Sequence, residues 1–158
     1  FIVAEPYCGK AEMDGYGRVL YYAKDVWPNY ISCCLVVHED LIRDKPDVVR
    51  DLVRGIVASG EWAQKNRSGA ARLVSPYFGQ NEKLMNYVLT QPADRVTFIN
   101  LNPTDLEMQK IMDMGISLNF LKVRTPMNEL LDRSFISDDI EPATIDLSRM
   151  GEVVPATP

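Results

Sequence analysis

The N-terminus of the chain carries two residue types that recognise small polar molecules. Glu5 follows the apolar run of residues 1–4, and Pro6 and Tyr7 come next. We predict that residues 1–4 form a short strand that Pro6 ends, because proline lacks a backbone donor and fixes its φ angle. Open α/β sheets bind ligands beyond the carboxyl ends of their strands. Glu5 can therefore accept a hydrogen bond from a ligand amine, and Tyr7 can offer a phenolic donor. The alternatives are a carboxylate tied to backbone amides and a tyrosine used for packing.

A second group of candidate residues lies in a polar and aromatic loop that contains Asp25, Trp27 and Tyr30. An indole with a nearby carboxylate suits an amphipathic ligand, through stacking and one charge-assisted hydrogen bond. The alternative is a loop that a half-buried tryptophan anchors. From the two groups we select four candidate ligand-binding residues, Glu5, Tyr7, Asp25 and Trp27.

The other reactive side chains do not form a catalytic or metal-binding pattern. His38 is the only histidine, and no Cys-x-x-Cys spacing accompanies it. Cys34 and His38, four residues apart in a strand, would be separated by roughly 13 Å, too far for a nucleophile and its base. We interpret the adjacent Cys33 and Cys34 as small buried hydrophobic residues, with a redox or metal pair as the alternative. We therefore predict no catalytic residue, no metal ligand and no cofactor.

Composition and charge exclude two classes of partner. The net charge is -5 and the Lys and Arg residues are scattered, which argues against binding to a nucleic-acid backbone. No apolar run approaches the roughly 20 residues that a membrane span requires. The length of 158 residues suits one ordinary globular domain. The chain opens without an initiator methionine or a signal peptide, which we interpret as a processed, truncated or excised polypeptide.

Strands are predicted in the first part of the chain and again after residue 94. Residues 31–38 are a nearly continuous apolar run, as expected of a strand that is covered on both faces in a mostly parallel sheet. The full set of predicted strand or extended segments is 1–4, 18–23, 31–38 and 95–101.

Helices are predicted over most of the remaining chain. The strongest pattern starts at Pro46, where Val49, Leu52, Val53, Ile56 and Val57 recur at helical spacing. Thr104 and Glu107 have the spacing of a capping box and predict the start of a later helix. The other predicted helices are 7–13, 69–77, 82–89 and 127–133, with a single turn at 39–43.

Several of these pieces occur in an order that resembles a known family. They are the runs 1–7 (FIVAEPY), 17–20 (GRVL), 25–28 (DVWP), 33–40 (CCLVVHED) and 46–49 (PDVV). This order resembles the nitrate, sulfonate, taurine and thiamine-precursor branch of ABC solute-binding proteins, the NMT1-like group. The order and spacing match from residue 1 to roughly residue 120, and they are closest to the nitrate- and bicarbonate-type receptors.

The resemblance implies an α/β fold, the C-terminal part of a type II periplasmic-binding-protein fold with a small, mostly parallel sheet and packed helices. Residues 1–136 would form a partial solute-binding domain, containing the return hinge and the C-terminal lobe, and residues 137–158 an irregular tail. The family's N-terminal half would be missing. Glu5 would face the cleft between two lobes that close on a solute.

The implied function is that of an extracytoplasmic or periplasmic solute-binding component of an ABC importer, which binds a small anionic or zwitterionic solute and delivers it to permease subunits in the membrane. We also expect a homodimer through the edge of the incomplete sheet. The alternative is a ligand-sensing domain of a signalling or regulatory protein with the same fold. An enzyme is disfavoured, because the resembling thiamine-pyrimidine synthase branch depends on a cysteine-rich segment that this sequence lacks.

Overall fold

The computed structural model describes residues 2–136. Phe1 and the predicted irregular tail, 137–158, lie outside the described residues. Within them the chain forms eight α-helices and one 3₁₀ turn. The helices are α1 (Tyr7–Met13), α2 (Ala23–Val26), α3 (Glu39–Asp44), α4 (Pro46–Lys65), α5 (Arg67–Phe78), α6 (Glu82–Thr90), α7 (Asp105–Ser117) and α8 (Met127–Leu130), followed by the 3₁₀ turn Arg133–Phe135.

The best-packed core lies between α5 and α6. Small residues on α5 allow close approach, since Ala71 is fully buried and Ala70 is nearly so. Met85 and Leu89 of α6 pack against them. Half-buried hydrophobic side chains complete this core from α4, α5 and the segment after α6, namely Trp62, Ala63, Val74, Val96 and Phe98.

The helix predictions are confirmed except over 127–133, where α8 ends at Leu130 and a separate 3₁₀ turn begins at Arg133. Helix α1 spans the predicted residues 7–13, and α4 begins at Pro46. Helix α5 ends at Phe78, and the next residue, Gly79, has a φ angle of +58°, in the left-handed region that glycine adopts readily. Thr104 and Glu107 form the predicted capping box at the start of α7. The loop predicted around Asp25 is instead the one-turn helix α2.

The fold-class prediction is wrong for the described residues, because residues 2–136 contain no strand and therefore no sheet. Of the predicted strand 18–23, residues 18–22 lie outside any helix or strand and Ala23 begins α2. The predicted strand 31–38 and residues 2–4 and 95–101 also lie outside any helix or strand. Many of their apolar side chains are exposed, with Leu20 at 75% and Val36 at 88%. A β-strand satisfies its backbone only by pairing with a neighbouring strand, and the described part of the chain supplies none for these segments.

Two further predictions change with the loss of the sheet. A homodimer through a sheet edge has no structural basis in residues 2–136. Cys33 and Cys34 are exposed rather than buried, because the segment that carries them does not enter a core.

The 3₁₀ turn at 133–135 contacts both α4 and the start of α7. Phe135 of the 3₁₀ turn is buried, and the Arg50 guanidinium of α4 lies 5.9 Å from its ring centroid. Arg133 donates hydrogen bonds to Asn102 and Asp105, which join this turn to the start of α7.

Candidate functional site

Glu5 and Tyr7 lie at the start of α1 and differ in their surroundings. The Glu5 side chain is 20% exposed, and its Oε2 accepts a hydrogen bond from the Gly9 N–H at 3.0 Å. Tyr7, at the first position of α1, is 51% exposed and therefore presents its ring to solvent. The alternative interpretation of Glu5, a carboxylate tied to a backbone amide, is thus present, while its Oε1 remains outside that bond.

Helix α1, which follows Glu5 in the sequence, is held close to α6 at Gly9. A Cβ built on Gly9 would lie 2.4 Å from Cγ2 of Val88, which is buried, so only glycine fits this contact. The same Cβ would lie 3.3 Å from Glu5 Oε2. The sequence therefore uses Gly9 to bring the helix backbone, and with it the Glu5 carboxylate, against α6.

A buried arginine from the segment after α6 lies between two carboxylates of the first helix region. The Arg95 side chain is only 1% exposed. Its Nη1 lies 3.6 Å from Glu5 Oε1, and its Nη2 donates to Glu12 and, at 2.9 Å, to the Tyr22 hydroxyl. Arg95 thus connects Glu5 and Glu12 with residues of the next turn.

Aromatic rings enclose the guanidinium of Arg95. Its carbon lies 5.2 Å from the ring centroid of Tyr22 and 5.0 Å from that of Tyr87, both within cation–π range. Burial lowers the pKa of Arg95, but the hydrogen bonds to Tyr22 and Glu12 and the charges of Glu5 and Glu12 outweigh it and raise the pKa above its ordinary value. Arg95 is therefore a fixed positive charge.

Asp25 is used locally in the one-turn helix α2. Its Oδ2 accepts a hydrogen bond from the Tyr22 N–H at 2.9 Å, which satisfies a backbone donor at the helix start. Lys24 of the same turn donates to Asp94 at 2.6 Å. Asp94 and Arg95, adjacent in sequence, therefore hold this turn from the segment after α6.

Trp27 and Tyr30 form the predicted aromatic pair after α2. Their ring centroids are 5.9 Å apart and their planes are inclined by 57°. Trp27 is half-buried, whereas Tyr30 is 47% exposed. The pair has the form of the alternative interpretation, a loop anchored by a tryptophan, and it also leaves one ring accessible.

Chains of contacts connect two of the four predicted residues. Glu5 is linked to Asp25 through Arg95 and Tyr22. Tyr7 and Trp27 are not part of this network. Sequence reasoning missed Arg95, Tyr22 and Glu12. The one available signal was an arginine next to the apolar Val96 and Phe98, a pattern that also suits an exposed strand end.

The other reactive residues serve local structure. His38 is the N-cap of α3, where its Nδ1 accepts from the Asp40 N–H at 3.2 Å. Cys8 donates to the Val3 carbonyl at 3.1 Å, and all three cysteines are free. Among residues 2–136 no group of three or more His, Cys, Asp or Glu side chains is arranged to hold a metal ion.

A shallow open groove lies apart from the four predicted residues. Residues of α3 and of the α8–3₁₀ region line it, including Ile42, Arg43, Leu131 and Arg133. None of the four predicted residues lines this groove. No helix within the described range combines the length and apolar character that membrane crossing requires.

A comparison with known protein families finds a similarity in the first part of the chain. Residues 1–75 match the model of the NMT1-like family. No curated protein and no solved structure matches the chain. The match covers the segment that contains Glu5, Tyr7, Asp25 and Trp27, and it confirms the family resemblance that the order of motifs predicts.

Proposed function

We propose, from the premise that residues 1–75 are an NMT1-like segment, that the protein is the solute-binding component of an ABC importer. The family supports a solute-binding role of this type at the coarse level. In the proposal, a small anionic or zwitterionic solute is captured without catalysis and delivered to permease subunits in the membrane. The proposed location is periplasmic or otherwise extracytoplasmic, at the membrane that holds the transporter.

The proposed ligand site is supported by the free acceptor capacity of the Glu5 carboxylate. One oxygen accepts the Gly9 amide, and the other lies 3.6 Å from a buried guanidinium without a hydrogen bond to it. An ionised carboxylate has about four acceptor positions, so Glu5 keeps capacity for a ligand donor. Tyr7, two residues away and exposed, offers a further hydroxyl.

The charges around Glu5 favour a zwitterionic solute over a simple anion. The guanidinium of Arg95 is buried, so a solute does not reach it, and the Lys24 ammonium is already bonded to Asp94. The carboxylates of Glu5 and Asp25 are partly exposed, at 20% and 43%. An ammonium group can bind to such carboxylates through charge-assisted hydrogen bonds, whereas a bare anion would be repelled. A dimer through a sheet edge is not part of the proposal.

Thermal unfolding with candidate solutes tests the proposal. The protein is mixed with taurine, alkanesulfonates, nitrate or bicarbonate, and the unfolding midpoint is measured. A solute that binds the folded state stabilises it by about 2.7 kcal/mol at a concentration of 100 times Kd. We expect taurine to raise the midpoint more than nitrate does.

Two variants assign the binding to Glu5. Glu5→Gln keeps the shape of the side chain but removes its charge, and we expect a loss of affinity for taurine of about tenfold. Glu61→Gln is the matched control, since Glu61 is an exposed carboxylate of α4 whose ion pair within residues 2–136 is with Lys65. Equal affinity in both variants would contradict the role of Glu5, and the absence of any midpoint shift would contradict the solute-binding function.

A further inference from the structure

Arg95 contacts both parts of the candidate site. Its Nη1 lies 3.6 Å from Glu5, and its Nη2 donates to the Tyr22 hydroxyl at 2.9 Å. The Tyr22 N–H in turn donates to Asp25 at 2.9 Å. We infer that Arg95 is a positioning residue that fixes Glu5 relative to the Tyr22–Asp25 turn for solute binding. This inference rests on the proposed function for its biological meaning, and on the contacts of Arg95 for its geometry.

Burial and stacking make Arg95 rigid enough for this role. Its side chain is 1% exposed, and the rings of Tyr22 and Tyr87 both lie within cation–π distance of the guanidinium, at 5.2 and 5.0 Å. The planar guanidinium carries donors that diverge in fixed directions, so it can address α1 and the Tyr22 turn at the same time. A lysine ammonium in the same place is a compact charge without this divergence.

The hydrogen bonds of Arg95 are distributed so that Glu5 stays available. Nη2 makes the bonds to Glu12 and Tyr22, whereas Nη1 and Nε have no hydrogen-bond partner among the described residues. Glu5 is therefore attracted by the charge of Arg95 but does not use an oxygen to accept from it. Glu12 accepts the hydrogen bond from Arg95 instead, which leaves Glu5 Oε1 free to accept a hydrogen bond from a solute.

The chain offers a matched control for Arg95. Arg67 is also partly buried and also lies over an aromatic ring, that of Phe98, at 5.7 Å. It donates to the Leu89 and Val96 carbonyls, so it ties α5 to α6 and to the following segment. It makes none of the contacts with Glu5 or Tyr22. If Arg95 only stabilised the fold, Arg95→Lys and Arg67→Lys would therefore have the same effect on amide exchange and on solute binding.

Amide hydrogen exchange measured by NMR tests the positioning role without any ligand. The Gly9 amide reports on Glu5, and the Tyr22 amide reports on Asp25, because each donates to that carboxylate. In Arg95→Lys we expect exchange at both amides to accelerate by about tenfold, since Glu5 loses the neighbouring guanidinium and the turn that contains Tyr22 loses the hydrogen bond to its hydroxyl. In Arg67→Lys we expect both rates to stay within about twofold of the wild type.

A second variant covers the case in which Arg95→Lys does not fold. Tyr22→Phe keeps the ring beside Arg95 and removes only the hydroxyl, and we expect exchange at the amide of residue 22 to accelerate by about threefold. Unchanged exchange in the folded variants, or the same change in Arg67→Lys, would overturn the inference.

Solute binding provides the second arm of the test. For taurine, we expect Kd to rise by about tenfold in Arg95→Lys and by less than about twofold in Arg67→Lys. Coupled exchange with no binding of taurine or nitrate by the wild type would support the positioning geometry and would reject the proposed function. Taurine binding by the wild type with equal Kd in both variants would reject the role of Arg95 and keep the function.

Discussion

The irregular segments 18–22 and 31–38 and the helical region 67–90 are both rich in apolar residues, yet they pack in opposite ways. Leu20 and Val36 are 75% and 88% exposed, whereas Ala71 is fully buried and Val88 is 2% exposed. A helix satisfies its interior backbone groups from its own residues and needs a partner only for its apolar face. An extended segment needs a partner for its backbone as well. The comparison shows that apolar content alone does not determine burial.

The largest effect that separates these regions is expected from truncating a leucine in each. Leu89→Ala removes a side chain that is 6% exposed and packs between α5 and α6. The lost burial and the resulting cavity should lower the free energy of unfolding by about 3 kcal/mol. Leu20→Ala shortens a side chain that is 75% exposed, and we expect a change within about 0.5 kcal/mol. Urea denaturation measures both values.

The slope of the urea transition serves as the control for this pair. If the slope is the same in both variants and in the wild type, the change in midpoint reports stability alone. A loss in Leu20→Ala as large as that in Leu89→Ala would show that residues 18–22 are buried in solution, and the contrast between the two regions would then be lost.

The same contrast explains which parts of the fold the sequence predicts. The start of α4 at Pro46 and the capping box of Thr104 and Glu107 depend only on residues close in sequence, so their positions can be predicted. The strand assigned to residues 31–38 rested on an apolar run whose structure depends on a distant partner. The apolar pattern indicates that this segment favours a β-strand, but the strand does not form without a neighbouring strand to pair with.

The candidate site divides in a similar way. Glu5 is conspicuous in the sequence because it follows an apolar run, and Asp25 because it lies beside aromatic residues. Arg95 is 90 positions away from Glu5, and it reaches Glu5 only because α1 packs against α6 at Gly9. No local pattern encodes that approach, so the central cation of the site could not be predicted from the sequence.

Helix capping provides a smaller and sharper test of the same comparison. Thr104 accepts from the Glu107 N–H, while Glu107 accepts from the Thr104 N–H, so two backbone donors are satisfied at the start of the 13-residue helix α7. Thr104→Ala should lower the free energy of unfolding by about 1 kcal/mol. His38→Ala removes the single cap of the six-residue helix α3, next to the irregular segment, and we expect about half that loss. Equal losses in urea denaturation would argue against the difference between the two regions.

The smallest expected effect concerns the ion pair that joins the irregular region to the segment after α6. The hydrogen bond from Lys24 lowers the pKa of Asp94 below its ordinary value of 3.8, and the bond to Asp94 raises the pKa of Lys24 above 10.5. The contribution of Asp94 to stability is therefore present above about pH 4 and is lost as the pH falls through its lowered folded pKa. The contribution of Lys24 is present below 10.5 and is lost as the pH rises through its raised folded pKa.

NMR titration of the Asp94 carboxyl carbon measures this link directly. In Lys24→Met the midpoint should rise towards 3.8, because the donor that stabilises the charged carboxylate is gone. Lys10→Met is the control, since Lys10 forms an exposed pair with Asp14 and makes no contact with Asp94. If the Asp94 midpoint is the same in Lys24→Met and in the wild type, Lys24 and Asp94 do not pair in solution, and the segment after α6 holds the α2 turn through Arg95 and Tyr22 alone.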